Sequence, residues 1–123
     1  MRVLLSIKPE FAEKILNGTK RYEFRKQNFS KNVETVVIYA TKPVGKIVGE
    51  FKLKAVLEGT PEQIWQQTEK FSGIHKSFFD VYYRNRKKAY ALQTEDVVRY
   101  AEPLEPKDFI ADFVAPQSYR YIP

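Results

Sequence analysis

Lys20, Glu23 and Arg25 lie within six residues of one another, directly after Asn17-Gly18, and their types suit a polar, partly anionic ligand. Arginine offers a planar fork to a phosphate or a base edge, lysine a point charge, and the carboxylate an acceptor for an exocyclic amine. Lys8 reaches the same neighbourhood from the end of the preceding strand, which makes it a fourth candidate for one pocket. Three other uses compete. Lys20 and Glu23 are a possible catalytic acid–base pair, because a neighbouring cation lowers a carboxylate's pKa while burial raises the cost of charging either group. The same pair also suits a salt bridge that only shapes a cleft. Charges on an edge strand, finally, discourage pairing with other chains.

The elements that must position these residues follow from periodicity. Arg2 to Ile7 reads as a buried first strand, mainly apolar and β-branched. Lys8-Pro9-Glu10 then opens a helix with Phe11, Ala12, Ile15 and Leu16 on one face, and Asn17-Gly18 supplies a left-handed C-terminal cap. In the strand that follows, alternation predicts Arg21, Glu23 and Arg25 outward and Tyr22 and Phe24 inward, with Lys20 at the turn free to swing either way. Gln27 to Asn32 is a polar connection. Val36 to Ala40 is continuously apolar and predicts a central strand covered on both faces.

Thr41 to Gly45 is a turn, after which Ile47, Gly49, Phe51 and Leu53 alternate with Val48, Glu50, Lys52 and Lys54 in a long strand. Gly49 suggests a bend. Thr60-Pro61-Glu62-Gln63 is a capping box opening a helix with Ile64, Trp65, Thr68 and Phe71 on one side. Ser72-Gly73 breaks it, and a second helix from about Ile74 to Tyr83 places Ile74, Phe78, Val81 and Tyr82 together. These helices form an insertion between strands, a lid or flank. Lys88 to Gln93 and Val97 to Ala101 read as two strands, Glu102 to Pro106 as a stiff loop, Lys107 to Phe113 as a short helical turn and Ser118 to Ile122 as a last strand.

The chain has 123 residues, enough for one domain with its own core. It has no cysteine and one histidine, so disulfides, thiolate chemistry and multi-histidine metal sites are excluded. No metal or cofactor is expected. The opening apolar run is too short for a signal peptide or a membrane span, so a soluble, cytoplasmic protein is expected. The formal net charge of +6 is unevenly distributed: residues 1–31 hold eight Lys/Arg against three Glu, Arg84 to Lys88 adds four cations, and residues 94–112 hold six acids against two bases. Such polarity suits a polyanion such as nucleic acid. Tyr39, Tyr90, Tyr119 and Trp65 are possible stacking surfaces, although with eight Tyr, nine Phe and one Trp most rings must serve the core. Arg84 to Lys88 is either a phosphate-tracking tip or a solvated turn.

The spacing Gly18-x-Lys20-x-x-Glu23-x-Arg25 resembles the G-x-K-x-x-E-x-R signature of the ASCH domain family. Ser6 to Pro9, Ile38 to Thr41, Pro43 to Gly49 and Pro116 to Tyr119 also look like that family, and the resemblance covers essentially all 123 residues as a single domain. It implies an α+β fold, a PUA-like small β-barrel with flanking helices. It also implies binding of RNA or a nucleotide-like ligand in a basic cleft beside the signature, and it adds Tyr39, Thr41, Gln117 and Tyr119 to the candidate ligand-binding residues. One branch of the family resembles small metal-independent hydrolases of N4-acetylcytidine, and ribonuclease activity is proposed for other members. Lys20 occupies the position of that branch's lysine, but Glu23 stands where its threonine would be. An interaction domain with a protein partner is a third reading.

Overall fold

The computed structural model describes residues 1–123. In chain order it contains β1 (Arg2–Ile7), α1 (Pro9–Leu16), β2 (Tyr22–Arg25), β3 (Thr35–Ala40), β4 (Lys46–Gly59), α2 (Pro61–Thr68), a 3₁₀ turn (Glu69–Phe71), α3 (Lys76–Tyr82), β5 (Ala89–Leu104), α4 (Pro106–Phe109) and β6 (Tyr119–Ile122). The six strands make one mixed sheet in the order β2-β5-β4-β3-β1-β6. Only β1 and β3 run parallel; every other pair is antiparallel. The sheet curls into a half-barrel, the form that the expected PUA-like α+β architecture takes here. Its two outer strands, β2 and β6, are not paired with each other, which leaves a seam.

Three apolar clusters explain why the strands lie where they do. Val3, Leu5 and Ile7 of β1 and Val36, Ile38 and Ala40 of β3 face Ala12 and Ile15 of α1, Phe51 and Leu92. Leu4, Val37 and Tyr39 point to the opposite face, against Ile47, Ile122 and the aromatic residues after β5. Burial on both faces is why β1 reads as mainly apolar and Val36 to Ala40 of β3 as an unbroken apolar run. The third cluster joins Ile64 and Trp65 of α2, Phe79 of α3 and Tyr83 at its C-cap to Phe24, Ala89 and Ala91, fixing the inserted helices against β2 and β5. Trp65 is therefore core rather than a stacking surface.

Local signals acted as their chemistry requires. The Thr60 hydroxyl accepts from the Gln63 N–H at 3.2 Å while the Gln63 side chain accepts from the Thr60 N–H at 3.0 Å, closing the capping box. A methyl group at Gly49 would lie 2.4 Å from the Val98 carbonyl oxygen and 2.6 Å from Leu16, so glycine there lets β4 pass close beneath β5 and α1.

Three expectations are corrected. Residues 88–101 do not form two strands: β5 is continuous from Ala89 to Leu104, absorbing the polar Thr94-Glu95-Asp96 stretch through a left-handed Asp96 (φ 49°) and shifts of register against β4, and running through the expected loop to Leu104. On α3 the buried pair is Phe79 and Tyr83, whereas Phe78 and Val81 are exposed. On β2 the charges do not all face outward; Glu23 is as buried as Phe24.

Candidate functional site

Lys20 is fully buried, 1% exposed, among the largest side chains of the interior. Its position is set from three sides. The Asn17-Gly18 cap ends α1, with Gly18 at φ 86°, and returns the chain so that the Lys20 N–H donates to the Lys14 carbonyl at 3.0 Å. The next N–H, of Arg21, donates to Phe71 O at 2.9 Å and ties the start of β2 to the 3₁₀ turn. Above the lysine stem lies Gly73 at φ 70°, where a Cβ would stand 2.5 Å from Lys20 Cβ and 2.6 Å from Cγ. Only glycine permits both that backbone and that approach.

The Lys20 ammonium donates to Ser72 O at 2.7 Å and lies 4.7 Å from the Phe24 ring centroid and 5.3 Å from that of Phe11. Ring faces attract a cation, but they replace only part of its hydration. Desolvation therefore brings its pKa from 10.5 down to about 8, with Lys14 and Arg25 adding to the fall and Glu23 opposing it. Lys20 thus titrates closer to neutral pH than an ordinary lysine, while remaining mostly protonated at pH 7.

Arg25 spans the seam. Its Nη2 donates to Ser6 O on β1 and to Glu23 Oε2, each at 2.7 Å, and its Nη1 donates to Ser118 Oγ at 3.3 Å. Nε is buried with no partner. Tyr83, at the end of α3, donates its hydroxyl to Arg25 O at 2.8 Å, so the strand carrying Glu23 and Arg25 is held by the inserted helix as well. Burial raises the Tyr83 phenol and keeps it a donor.

These groups border one hollow of about 350 Å³ that opens at the seam. Of the predicted site residues, Lys8, Lys20, Glu23, Arg25, Thr41 and Gln117 line it together, from the N-cap of α1, the connection into β2, β2 itself, the turn after β3 and the approach to β6. Tyr39 and Tyr119 do not: Tyr39 is buried with its ring 5.1 Å from Phe113, and Tyr119 packs edge-on against Phe29 at 4.8 Å. The sequence reading missed the apolar wall formed by Phe11, Phe24, Ile74, Phe78 and Tyr82 as a lining, and also Ser6. Ser72 and Gly73, read only as a helix break, hold Lys20 in place. The exposed rings of a short helix beside a glycine break were the available signal. Phe78 is 40% exposed, and its ring runs nearly parallel to that of Tyr82, tilted 10° with centroids 6.5 Å apart. Thr19, the hydroxyl beside Lys20 in sequence, is exposed and donates to Asn17 Oδ1 at 2.7 Å, away from the hollow.

No cluster of metal-ligating side chains exists, and no helix is long and apolar enough to cross a membrane. In size the hollow falls at the lower end of the roughly 300–1,000 Å³ of small-ligand sites, and its apolar walls with a few polar groups match their character.

Comparison with known proteins places this geometry among relatives. The family model of the ASCH domain matches residues 5–105. Large ribosomal subunit protein uL22 of Ureaplasma parvum is 32% identical over 108 residues, which are 87% of this chain but 35% of that protein, so the chain spans about a third of its length. The ASCH domain-containing ribonuclease of Zymomonas mobilis is 28% identical over 126 residues, covering 97% of this chain and 82% of that protein. The crystal structure of ASCH from Zymomonas mobilis superposes with a TM-score of 0.91 at 27% identity, covering 99% of this chain and 87% of the other.

Proposed function

Because the chain belongs to the ASCH domain family, we propose that it binds RNA by taking one unpaired nucleotide into the hollow at the seam. The observation that carries this reading is the convergence of Lys8, Lys20, Glu23, Arg25 and Gln117 with the Phe11, Phe78 and Tyr82 rings on one solvent-open space. A nucleobase has flat faces for the rings and an edge for the polar groups. Stacking on an aromatic side chain contributes about 1–3 kcal/mol per base, and a Glu23 oxygen accepts from an exocyclic amine. Lys8, exposed at the mouth with its ammonium 5.5 Å from the Phe78 ring, is placed for the phosphate. The space suits one nucleotide and not a duplex.

A second reading, RNA cleavage, is favoured by the ribonuclease name of the Zymomonas mobilis relative, which this chain matches over nearly its whole length. Metal-independent cleavage proceeds by attack of a ribose 2′-hydroxyl on the adjacent phosphorus. The bond to the 5′ oxygen breaks, and a cyclic phosphate and a 5′-hydroxyl result. It needs a base for the 2′ proton and an acid for the departing oxygen. Lys20, with its pKa lowered to about 8, gives up its proton more readily than an ordinary lysine and is the candidate for one of these two roles.

Binding and turnover of a labelled single-stranded RNA in buffer containing a chelator test both readings. Phe78→Ala should weaken binding by at least about tenfold, in line with the stacking contribution, and Glu23→Gln, which replaces a charged acceptor by a neutral one and adds a donor at the base edge, should weaken it too. Wild-type affinity in both variants would overturn the hollow as the site. Cleavage that disappears in Lys20→Met supports the ribonuclease reading, and intact RNA after prolonged incubation with concentrated protein retires it.

A further inference from the structure

The cations at the end of α3 are not used by the hollow, yet they are fixed beside it. After Tyr83 the chain turns tightly, with Asn85 left-handed at φ 62° and the Arg86 N–H donating to Tyr83 O at 2.9 Å, so that residues 84–88 all project into solvent. Of the four cations there, Lys88 pairs with Glu58, whereas Arg84, Arg86 and Lys87 make no ion pair. The start of the turn is tied to the strand beside the hollow, because Tyr83 is buried and its hydroxyl donates to Arg25 O. Next in sequence to Arg25 is Lys26, also unpaired, with its ammonium 4.7 Å from the ring of Tyr82, which lines the hollow.

A row of positive charge therefore starts at Lys8 over Phe78, crosses the paired rings of Phe78 and Tyr82 and continues at Lys26, and the basic turn begins two residues after Tyr82 in the chain. Along the row, cations flank ring faces while the hollow opens beneath the same two rings. A free nucleoside has no use for the far end of such a row; a chain of phosphates does. We infer that Lys26 and the Arg84–Lys88 turn form a backbone subsite for single-stranded RNA, which makes the ligand a strand with one nucleotide in the hollow and neighbouring phosphates along α3. This rests on reading the hollow as a nucleotide site.

The test uses one ligand, a labelled single-stranded RNA hexamer, titrated at several salt concentrations against four proteins. These are the wild type, the triple variant Arg84→Ala/Arg86→Ala/Lys87→Ala, the neutral hollow variant Phe78→Ala, and Lys54→Ala/Lys70→Ala/Lys107→Ala, which removes the same charge from exposed positions elsewhere. Each lost phosphate contact on a single strand reduces the slope of log affinity against log salt by about 0.7, so the first triple variant should bind at least tenfold more weakly with a slope shallower by about 2. The control triple should keep the wild-type slope. Phe78→Ala should weaken binding with its slope unchanged, and its failure to do so would count against the hollow while leaving the turn testable. The subsite is overturned if the first triple variant keeps the wild-type slope, or if the control triple lowers slope and affinity as much.

Discussion

Lys20→Met isolates the cost of holding an ammonium under Gly73. The folded-state pKa of Lys20 is about 8 against 10.5 for an ordinary lysine, so at pH 7 the charged form is disfavoured by folding to the extent of about 3 kcal/mol. Methionine has nearly the same length and no charge, but it leaves Ser72 O without its donor, which costs about 1–3 kcal/mol. The two proteins should therefore be of similar stability at pH 7. Between pH 8 and 10.5 the unfolded chain holds a proton that the folded one has released, so the wild type gains stability as pH rises through that window; below pH 8 both states are protonated and the penalty is constant. Urea melts of both proteins at several pH values will show it. The wild-type stability minus that of Lys20→Met should grow by about 2 kcal/mol from pH 7 to 9.5, other titrations cancelling in the difference. A difference that stays level or shrinks over that range would refute the account of Lys20 as a desolvated amine.

Three more outcomes follow from the same packing. Gly73→Ala forces a left-handed φ on a residue with a Cβ and drives that atom into the Lys20 stem, so it should cost upwards of about 2 kcal/mol, read as a fall in melting temperature; an unchanged melt would mean that the 72–75 segment shifts freely. Arg25→Ala leaves the buried Glu23 carboxylate without its partner and releases Ser6 and Ser118 across the seam, for a loss of about 3–5 kcal/mol in a denaturant titration; adding Glu23→Gln should restore part of it, and no recovery would show that the loss lies elsewhere than in the stranded charge. Thr60→Ala opens the capping box of α2 and should cost about 1 kcal/mol while RNA affinity stays at the wild-type value, since Thr60 does not line the hollow.

The features legible in the sequence are those fixed by neighbouring residues. The helix cap at Gly18, the capping box at Thr60, the alternation of β4 and the two-sided burial of β3 each depend on a few adjacent side chains, and each stands where periodicity put it. The burial of Lys20 was not legible because it is decided by Gly73, distant in sequence, whose bare Cα leaves room for the lysine stem. The face of α3 failed for a different reason. Phe78 and Tyr82 are spaced like Phe79 and Tyr83, so periodicity alone cannot tell which pair meets the core and which borders the hollow. Tyr39 was placed near the ligand by resemblance, but in an all-buried strand alternate residues face opposite sides, and its ring goes to the cluster with Phe113.

Arg25 also changes character once its partners are known. Read as a residue type it is a fork for phosphate, yet its terminal nitrogens already donate to Ser6, Ser118 and Glu23 across the open side of the half-barrel. A phosphate that drew the guanidinium away would strand the Glu23 carboxylate and unfasten β1 from β2, at a cost near that of breaking a buried ion pair. Ligand charge is met more cheaply at the mouth, where Lys8 and Lys26 are unpaired and neighbour Phe78 and Tyr82. On the proposed reading the floor would meet a base through its shape and hydrogen-bonding edges, and the rim would meet the phosphates. That division of labour is why removing rim cations should alter salt dependence, and altering the floor should alter affinity at any salt concentration.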